Sequence, residues 1–113
     1  MAKYEKALKG QFEAIIHRLN LDIINSAVSM KLVDESNFTI EDTKIAVRVY
    51  DKYYMRSGSR ASLSLTVVSH GEDVFISAIG AGGGLGVFLN LSWGSEKDLI
   101  AIVEESVKKM EMA

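Results

Sequence analysis

The strongest constraint on the fold is a pair of alternating segments in the middle of the chain. One side of segment 45–54 carries Ile45, Val47, Val49 and Tyr53, and the other carries Ala46, Arg48, Tyr50, Lys52 and Tyr54. Segment 62–68 places Leu63, Leu65 and Val67 on one side and Ser62, Ser64 and Thr66 on the other. A period of two predicts strands, and Ser57-Gly58-Ser59 between them predicts a hairpin turn. We expect like faces to pair, with Tyr53 opposite Leu63 and Tyr50 opposite Thr66.

The rest of the chain supplies two helices and further strands. Apolar residues spaced three and four apart predict a helix over 11–27, and a capping box of Ser95 and Asp98 starts a second helix. Strands are predicted at 3–9, 28–32, 74–79 and 87–91, with a short apolar segment at 38–40 and turns at 34–37 and 69–73. We therefore expect residues 1–113 to form a single α+β domain. Its mainly antiparallel five- or six-stranded sheet would carry an N-terminal and a C-terminal helix on one face, in the order β-α-β-β-β-β-β-α.

Composition excludes several classes of function. The 113 residues contain no cysteine, which rules out disulfides, thiolate zinc sites, iron–sulfur clusters and a cysteine nucleophile. The net charge of -2 provides no overall attraction to nucleic acid or to an anionic membrane, so neither is an expected partner. The N-terminus lacks the apolar core of a signal peptide and no run is long enough to span a membrane, so we expect a cytoplasmic protein.

A glycine run directly follows the apolar strand 74–79. It places five of the nine glycines within residues 80–86. The spacing matches neither a dinucleotide-binding fingerprint nor a phosphate-binding P-loop, and a strand rather than a helix is predicted after it. Two interpretations stay open: a structural bulge or flexible connection, and a loop whose backbone at Gly82, Gly83 and Gly84 contacts a ligand.

A cluster of cations and tyrosines is the second candidate site. Residues 44–60 carry five cations and one anion, a local charge of +4. The candidate ligand-binding side chains here are Arg48, Tyr50, Lys52, Arg56 and Arg60. The alternatives are a solvated or interface strand face, a site for a small anionic (phosphorylated) ligand, and a nucleic-acid surface, which the acidic balance disfavours. Asp51 falls among apolar neighbours, so either a bulge turns it outward, which we prefer, or local donors hold its carboxylate.

Catalytic chemistry has little support. His17 and His70 lack partners at metal-binding spacing, and no nucleophile–base pair can be assembled. We therefore predict no catalytic residues, no metal, no cofactor and no enzymatic activity. Trp93 is expected to pack the loop before the last helix onto the core.

The expected partner is a second copy of the chain. Two helices can cover only one side of the sheet, which leaves Tyr50, Tyr54, Val68 and one side of strand 74–79 on the other. A partly apolar sheet face of this kind usually meets another subunit or a ligand. The sequence thus predicts a small soluble binding or assembly domain that forms homo-oligomers through this face.

Several segments also carry a family resemblance. They are Phe38-Thr39-Ile40, the stretch 47–53, Ile76-Ser77-Ala78-Ile79-Gly80 and Trp93-Gly94-Ser95-Glu96. The chain resembles, over nearly its whole length, an uncharacterised family of small bacterial proteins, a domain of unknown function. The resemblance implies a small, stand-alone bacterial domain and brings no activity or site residue with it.

Overall fold

The described part of the chain folds into one β-sheet with two helices on it. The computed structural model describes residues 2–55, 58–82 and 92–112, with the side chains of the last range from Asp98 onward. The elements of this part are β1 (Ala2–Lys9), α1 (Phe12–Ile24), β2 (Lys31–Ile40), β3 (Thr43–Tyr54), β4 (Ser59–His70), β5 (Asp73–Gly82) and α2 (Ser92–Met112). The predicted α+β class with terminal helices is confirmed. The strand predicted at 87–91 lies outside the described residues.

The sheet is antiparallel throughout. Its strand order is β1-β5-β4-β3-β2, so β2 to β5 form a meander and β1 joins at its far edge. Each pair of neighbours in this order is antiparallel, and β1 pairs with β5 from Ala2↔Gly80 to Lys9↔Asp73. The N-terminal strand therefore pairs with β5, and among the described strands β1 and β2 are the two edges.

Short turns connect the meander. Gly71 and Glu72 join β4 to β5, and Gly71 has φ 62°, a left-handed conformation that glycine adopts without strain. This turn was predicted. The β2–β3 turn is Glu41-Asp42, where Glu41 takes φ 52° although it is not a glycine. The turn predicted at 34–37 is wrong, because those polar residues belong to the exposed edge strand β2.

The predicted register between β3 and β4 is also wrong. Tyr50 lies opposite Leu63 and Val47 lies opposite Thr66, so paired residue numbers sum to an odd value. Because side chains alternate along a strand, an odd shift exchanges the two faces. Arg48 and Tyr50 therefore lie on the same face of the sheet as Leu63 and Leu65. The prediction had placed them on the other face.

The helices cover only part of their face of the sheet, called the helix-side face below. α2 packs on β4, β5 and β1, and α1 packs on α2 and β4. The buried core includes Ile15, Leu19 and Ile23 of α1, Leu63, Leu65 and Val67 of β4, and Leu99, Val103 and Val107 of α2. α2 begins at Ser92, three residues before the predicted capping box. Since helix packing concentrates on β4, β5 and β1, the helix-side face of β2 and β3 forms a wall beside α1.

A register shift interrupts the β2 edge strand. Leu32 pairs with Tyr50 and Asp34 pairs with Val49, which leaves Val33 as an extra residue between them. Such a bulge changes the alternation of the strand by one residue. Leu32 and Glu35 consequently both lie on the helix-side face, Glu35 opposite Arg48.

Candidate functional site

The sheet face turned away from the helices, called the open face, has no cover among the described residues. Large apolar side chains lie along it, with exposed fractions of 47% for Phe38, 59% for Ile40, 43% for Tyr53, 42% for Phe75 and 38% for Ile79. They come from three strands, β2, β3 and β5. The register also places Val47 and Val49 on this face, with Ser64 and Thr66 between the apolar strands. An apolar, relatively flat surface of this kind is typical of an interaction site.

The charges on the open face balance. By register its charged side chains in the described residues are Lys3, Lys9, Lys31, Arg60, Glu5, Asp34, Asp51 and Asp73. Four are cationic and four are anionic. Lys9 Nζ lies 2.7 Å from Asp73 Oδ1, and Arg60 Nη1 lies 3.8 Å from Asp51 Oδ2. A copy of the same face brought against it would therefore meet no net repulsion.

Asp51 lies on the open face without a bulge in its own strand. Pairing between β3 and β4 is continuous through Asp51↔Ser62, so the predicted bulge at Asp51 is wrong. The carboxylate is 29% exposed and is paired with Arg60. Because the register exchanges the faces, Asp51 reaches partly solvated surroundings without any distortion of β3. The bulge that does occur is in the neighbouring strand, at Val33.

The predicted ligand-binding residues do not gather in one place. Arg48, Tyr50 and Lys52 lie on the helix-side face, whereas Arg60 lies on the open face beside Tyr53. Tyr50 has no exposed surface, so its predicted place on an uncovered face is wrong. Lys52 and Gly82 share one row across the sheet, on either side of Ala61. Arg56, Gly83 and Gly84 lie outside the described residues.

A cleft opens where the helix-side face of β2 and β3 lies beside α1. This α1 cleft has a volume of about 520 Å³. Apolar side chains of Phe12, Ile16 and Leu32 line it, and Arg48 and Glu35 provide its charged groups on the sheet side. The rest of its lining is Glu13, His17, Asn20, Asn37, Thr39 and Lys44, together with Phe38 and Ile45, which the register places on the opposite face of the sheet. Ligand sites in proteins commonly have this size and this mixture of apolar walls and a few polar groups.

The guanidinium of Arg48 is the most enclosed charge of the α1 cleft. Its side chain is only 11% exposed. Nη1 donates to the carbonyl oxygens of Val47 at 3.0 Å and Ser36 at 3.4 Å, and Nη2 lies 3.5 Å from Oε1 of Glu35. Glu35 itself is 49% exposed, because it stands on the edge strand. Among the described residues, Glu35 carries the carboxylate that lies within ion-pair distance of Arg48.

Tyr50 fixes the inner end of the α1 cleft. Its hydroxyl donates to Asn20 Oδ1 at 2.7 Å and so ties β3 to α1. Burial raises the pKa of Tyr50 to about 12, although the positive charge of Arg48 opposes the shift. The phenol is therefore neutral at physiological pH and retains the proton that it donates to Asn20.

An exposed ion pair lies at the other end of the cleft. Lys44 Nζ lies 3.0 Å from Glu13 Oε2 and 5.9 Å from the centre of the Phe12 ring. The hydrogen bond from Lys44 is the largest cause that lowers the pKa of Glu13. This end of the cleft is thus neutral, and its two charges are exposed to solvent.

Sequence reasoning missed the α1 cleft because it assigned two of its residues to a turn. Glu35 and Asn37 were placed in the predicted turn 34–37, although both line the cleft from β2. His17 lies in the lining, but the described residues contain no cluster of three or more metal-binding side chains. The predicted packing of Trp93 concerns a side chain outside the described part. No described helix is long and apolar enough to cross a membrane.

Comparison with known proteins identifies a family without assigning a function. The model of a family of unknown function, DUF6054, matches residues 1–111. No curated protein matches the chain. The match covers the five described strands, α1 and α2 up to residue 111.

Proposed function

The chain belongs to DUF6054, a family of unknown function, and we propose that it is a small assembly domain that pairs with a second copy of itself through the open face. The observation that carries the proposal is the row of apolar side chains left exposed on the sheet, from Phe38 in β2 to Ile79 in β5. Exposed apolar area costs free energy in water, and a second sheet face can cover it. The cytoplasmic location expected from the sequence stays a prediction.

The size of the open face suits a dimer. Five strands spaced about 4.8 Å apart and about ten residues long span roughly 20 Å by 33 Å, an area of roughly 650 Å² in projection. Stable protein interfaces bury about 800 Å² on each partner, so one open face is close to a complete interface. Sheets packed face to face in this way form sandwiches with interdigitated side chains.

The composition of the open face favours a second copy over a charged partner. Its four cations and four anions cancel, and the ion pairs Lys9–Asp73 and Arg60–Asp51 lie within one chain. The hydroxyl side chains of Ser64 and Thr66 are small, so they leave room between β3 and β5 for larger apolar side chains of the partner. A self-complementary surface is what a twofold dimer requires.

The proposal is tested by the mass of the protein in solution. Light scattering after gel filtration, at loading concentrations from about 1 μM to several hundred μM, is expected to show twice the monomer mass at the upper end. The variant Phe75→Glu should weaken the dimer at least about tenfold, because it places a charge in an apolar contact. Leu21→Glu is the matched control, since Leu21 on α1 is also 42% exposed and lies away from the open face.

Two results would overturn the proposal. One is a monomer at every concentration. The other is a dimer that Phe75→Glu leaves intact, which would place the contact elsewhere, for example along the β1 or β2 edge. Circular dichroism of both variants checks that the fold is retained.

A further inference from the structure

We propose that the α1 cleft binds a small amphipathic carboxylate, with the apolar body between α1 and the sheet and the carboxylate on Arg48. The cleft lies on the opposite side of the sheet from the open face, so the proposal does not depend on self-association. Its volume is about 520 Å³. Clefts of about 300 to 1,000 Å³ are the usual size of small-molecule sites.

The walls of the cleft select an apolar body. Phe12 and Ile16 of α1 face Leu32 of β2 across it, and all three are only partly buried although they contact the core. A ligand that fills this space removes their remaining apolar surface from water. The open end of the cleft, beside the Lys44–Glu13 pair, gives the ligand a route in.

Arg48 selects the charge of the head group. Its two hydrogen bonds to backbone carbonyls hold the guanidinium in place without neutralising its positive charge. Compensation comes from Glu35 at 3.5 Å, longer than the 2.7 to 2.9 Å of a strong charge-assisted hydrogen bond. An enclosed cation with a loosely held counter-ion is a good partner for an incoming carboxylate.

Glu35 is the group that an incoming carboxylate displaces. It is 49% exposed against 11% for Arg48, so Glu35 can turn into solvent at low cost whereas Arg48 cannot. The other charges at the cleft, Glu13 and Lys44, already neutralise each other at 3.0 Å. The charges of Arg48 and Glu35 therefore decide whether the cleft accepts an anionic or a cationic ligand. A ligand carboxylate gains the Arg48 contact, whereas a ligand cation meets the enclosed guanidinium.

The test compares three ligands that differ in the head group alone: octanoate, octan-1-ol and octylammonium. Each is titrated into isotopically labelled full-length protein while the backbone amide resonances are followed by NMR. Octanoate is expected to bind most tightly, and octylammonium at least about tenfold more weakly, which is the effect of one charge-assisted hydrogen bond. The resonances that move should come from 12–20 and 32–39, not from the open-face residues of β5.

Two substitutions with opposite expected effects test whether the carboxylate of the ligand binds at Arg48. Arg48→Met should weaken octanoate binding about tenfold or more, and Glu35→Gln should strengthen it severalfold by removing the competing carboxylate. Arg60→Met is the matched control, because it removes the same charge from the open face, where Arg60 pairs with Asp51. If Arg48→Met fails to fold, Glu35→Gln and the ligand series on the unaltered protein still decide.

The proposal fails if octylammonium binds as tightly as octanoate, if Glu35→Gln weakens octanoate binding, or if the shifts centre on the open face. It also fails if octanoate gives no saturable shift at millimolar concentration. In that case the Arg48–Glu35 pair is a structural contact between β3 and β2 only.

Discussion

At the scale of single residues, Tyr50 shows how one buried polar group links the sheet to a helix. It lies in the middle of β3 with no exposed surface, and its hydroxyl reaches Asn20 of α1 at 2.7 Å. A buried hydroxyl needs such a partner, because an unsatisfied polar group costs about 1 to 3 kcal/mol. Asn20 meets that need and keeps α1 at a fixed distance from β3, which sets the width of the α1 cleft.

Burial of Tyr50 predicts a loss of stability in strong alkali. Its pKa is raised from 10.0 to about 12 by burial, so the folded state holds the phenol proton more tightly than the unfolded chain does. The resulting stabilisation is fully present below pH 10 and is lost as the pH rises to about 12. Two pKa units correspond to about 3 kcal/mol.

The measurement is the free energy of unfolding by urea at several pH values from 8 to 12, for the unaltered protein and for Tyr50→Phe. The difference in the free energy of unfolding between the two proteins should shrink as the pH rises from 10 to 12, since the substituted side chain in Tyr50→Phe cannot ionise. Burial also raises the pKa values of Tyr4 and Tyr54, and these groups are common to both proteins. A difference that stays constant over this range would contradict the prediction.

At the scale of elements, the two helices are joined by one hydrogen bond to a carboxylate. Ser106 of α2 is 2% exposed and its hydroxyl donates to Asp22 Oδ2 of α1 at 2.5 Å. Arg18 Nε donates to the same oxygen at 3.1 Å. Burial of Asp22 tends to raise its pKa, but the hydrogen bonds from Ser106 and Arg18 outweigh burial and lower it.

Removing this hydroxyl should destabilise the helix pair. Ser106→Ala is expected to lower the free energy of unfolding at pH 7 by about 1.5 to 3 kcal/mol, the range for a hydrogen bond to a charged group. Because the pKa of Asp22 is lowered from 3.8, its stabilisation is present above pH 3.8 and is lost as the pH falls below that value. The effect of the variant should therefore diminish in acid.

The control is Ser26→Ala, which removes the hydroxyl of an exposed residue that donates to the Ile23 carbonyl at the end of α1. Chemical denaturation at pH 7 and near pH 3 measures both variants. Equal losses for the two serines, or a Ser106→Ala loss that does not change with pH, would argue against the role given to Asp22.

The elements themselves were largely predictable, and the faces of the strands were not. The apolar spacing of Ile15, Leu19 and Ile23 predicted α1, and the alternation over 45–54 predicted β3. In β3, however, both sides are partly apolar: Val47 and Val49 lie on one and Ala46 and Tyr50 on the other. The pattern therefore does not say which side meets the helices, and the register with β4 decides it.

The candidate site was less predictable than the fold for a related reason. Residues 34–37 are polar and consecutive, which is typical of a turn, yet they pair with β3 as an exposed edge strand. An edge strand with polar residues avoids unwanted strand pairing, so polarity alone does not separate it from a loop. Arg48 was predicted to bind a ligand, a prediction that stays untested, whereas its counter-ion Glu35 was assigned to the predicted turn 34–37 and so was not considered.

At the scale of the whole molecule, the two proposed surfaces lie back to back on one sheet. The open face and the α1 cleft alternate along β3, where Val47 and Val49 belong to the first and Arg48 to the second. Neighbouring side chains on a strand point to opposite sides, so the two surfaces share few residues, Phe38 and Ile45 among them, and most of each surface can change without altering the other. A dimer through the open face leaves α1 and its cleft on the outside.

This arrangement predicts that self-association and ligand binding are independent. Phe75→Glu should abolish the dimer and leave the affinity for octanoate within about twofold, whereas Arg48→Met should do the reverse. Light scattering and the NMR titration on both variants measure the two properties. A large loss of octanoate binding in folded Phe75→Glu would show that the surfaces are coupled through the sheet.

The bulge at Val33 also bears on how the length of this chain can vary. Deleting Val33 would join Leu32 to Asp34 and give a regular strand, with Leu32 still opposite Tyr50 and Glu35 still opposite Arg48. Deleting a residue between Asp34 and Thr39 instead would move part of the edge strand to the other side of the sheet. An insertion or deletion is thus tolerated at Val33. At the neighbouring positions of β2 the same change moves side chains to the other face of the sheet. Family members that differ in length at Val33 alone would keep the same residues in the cleft.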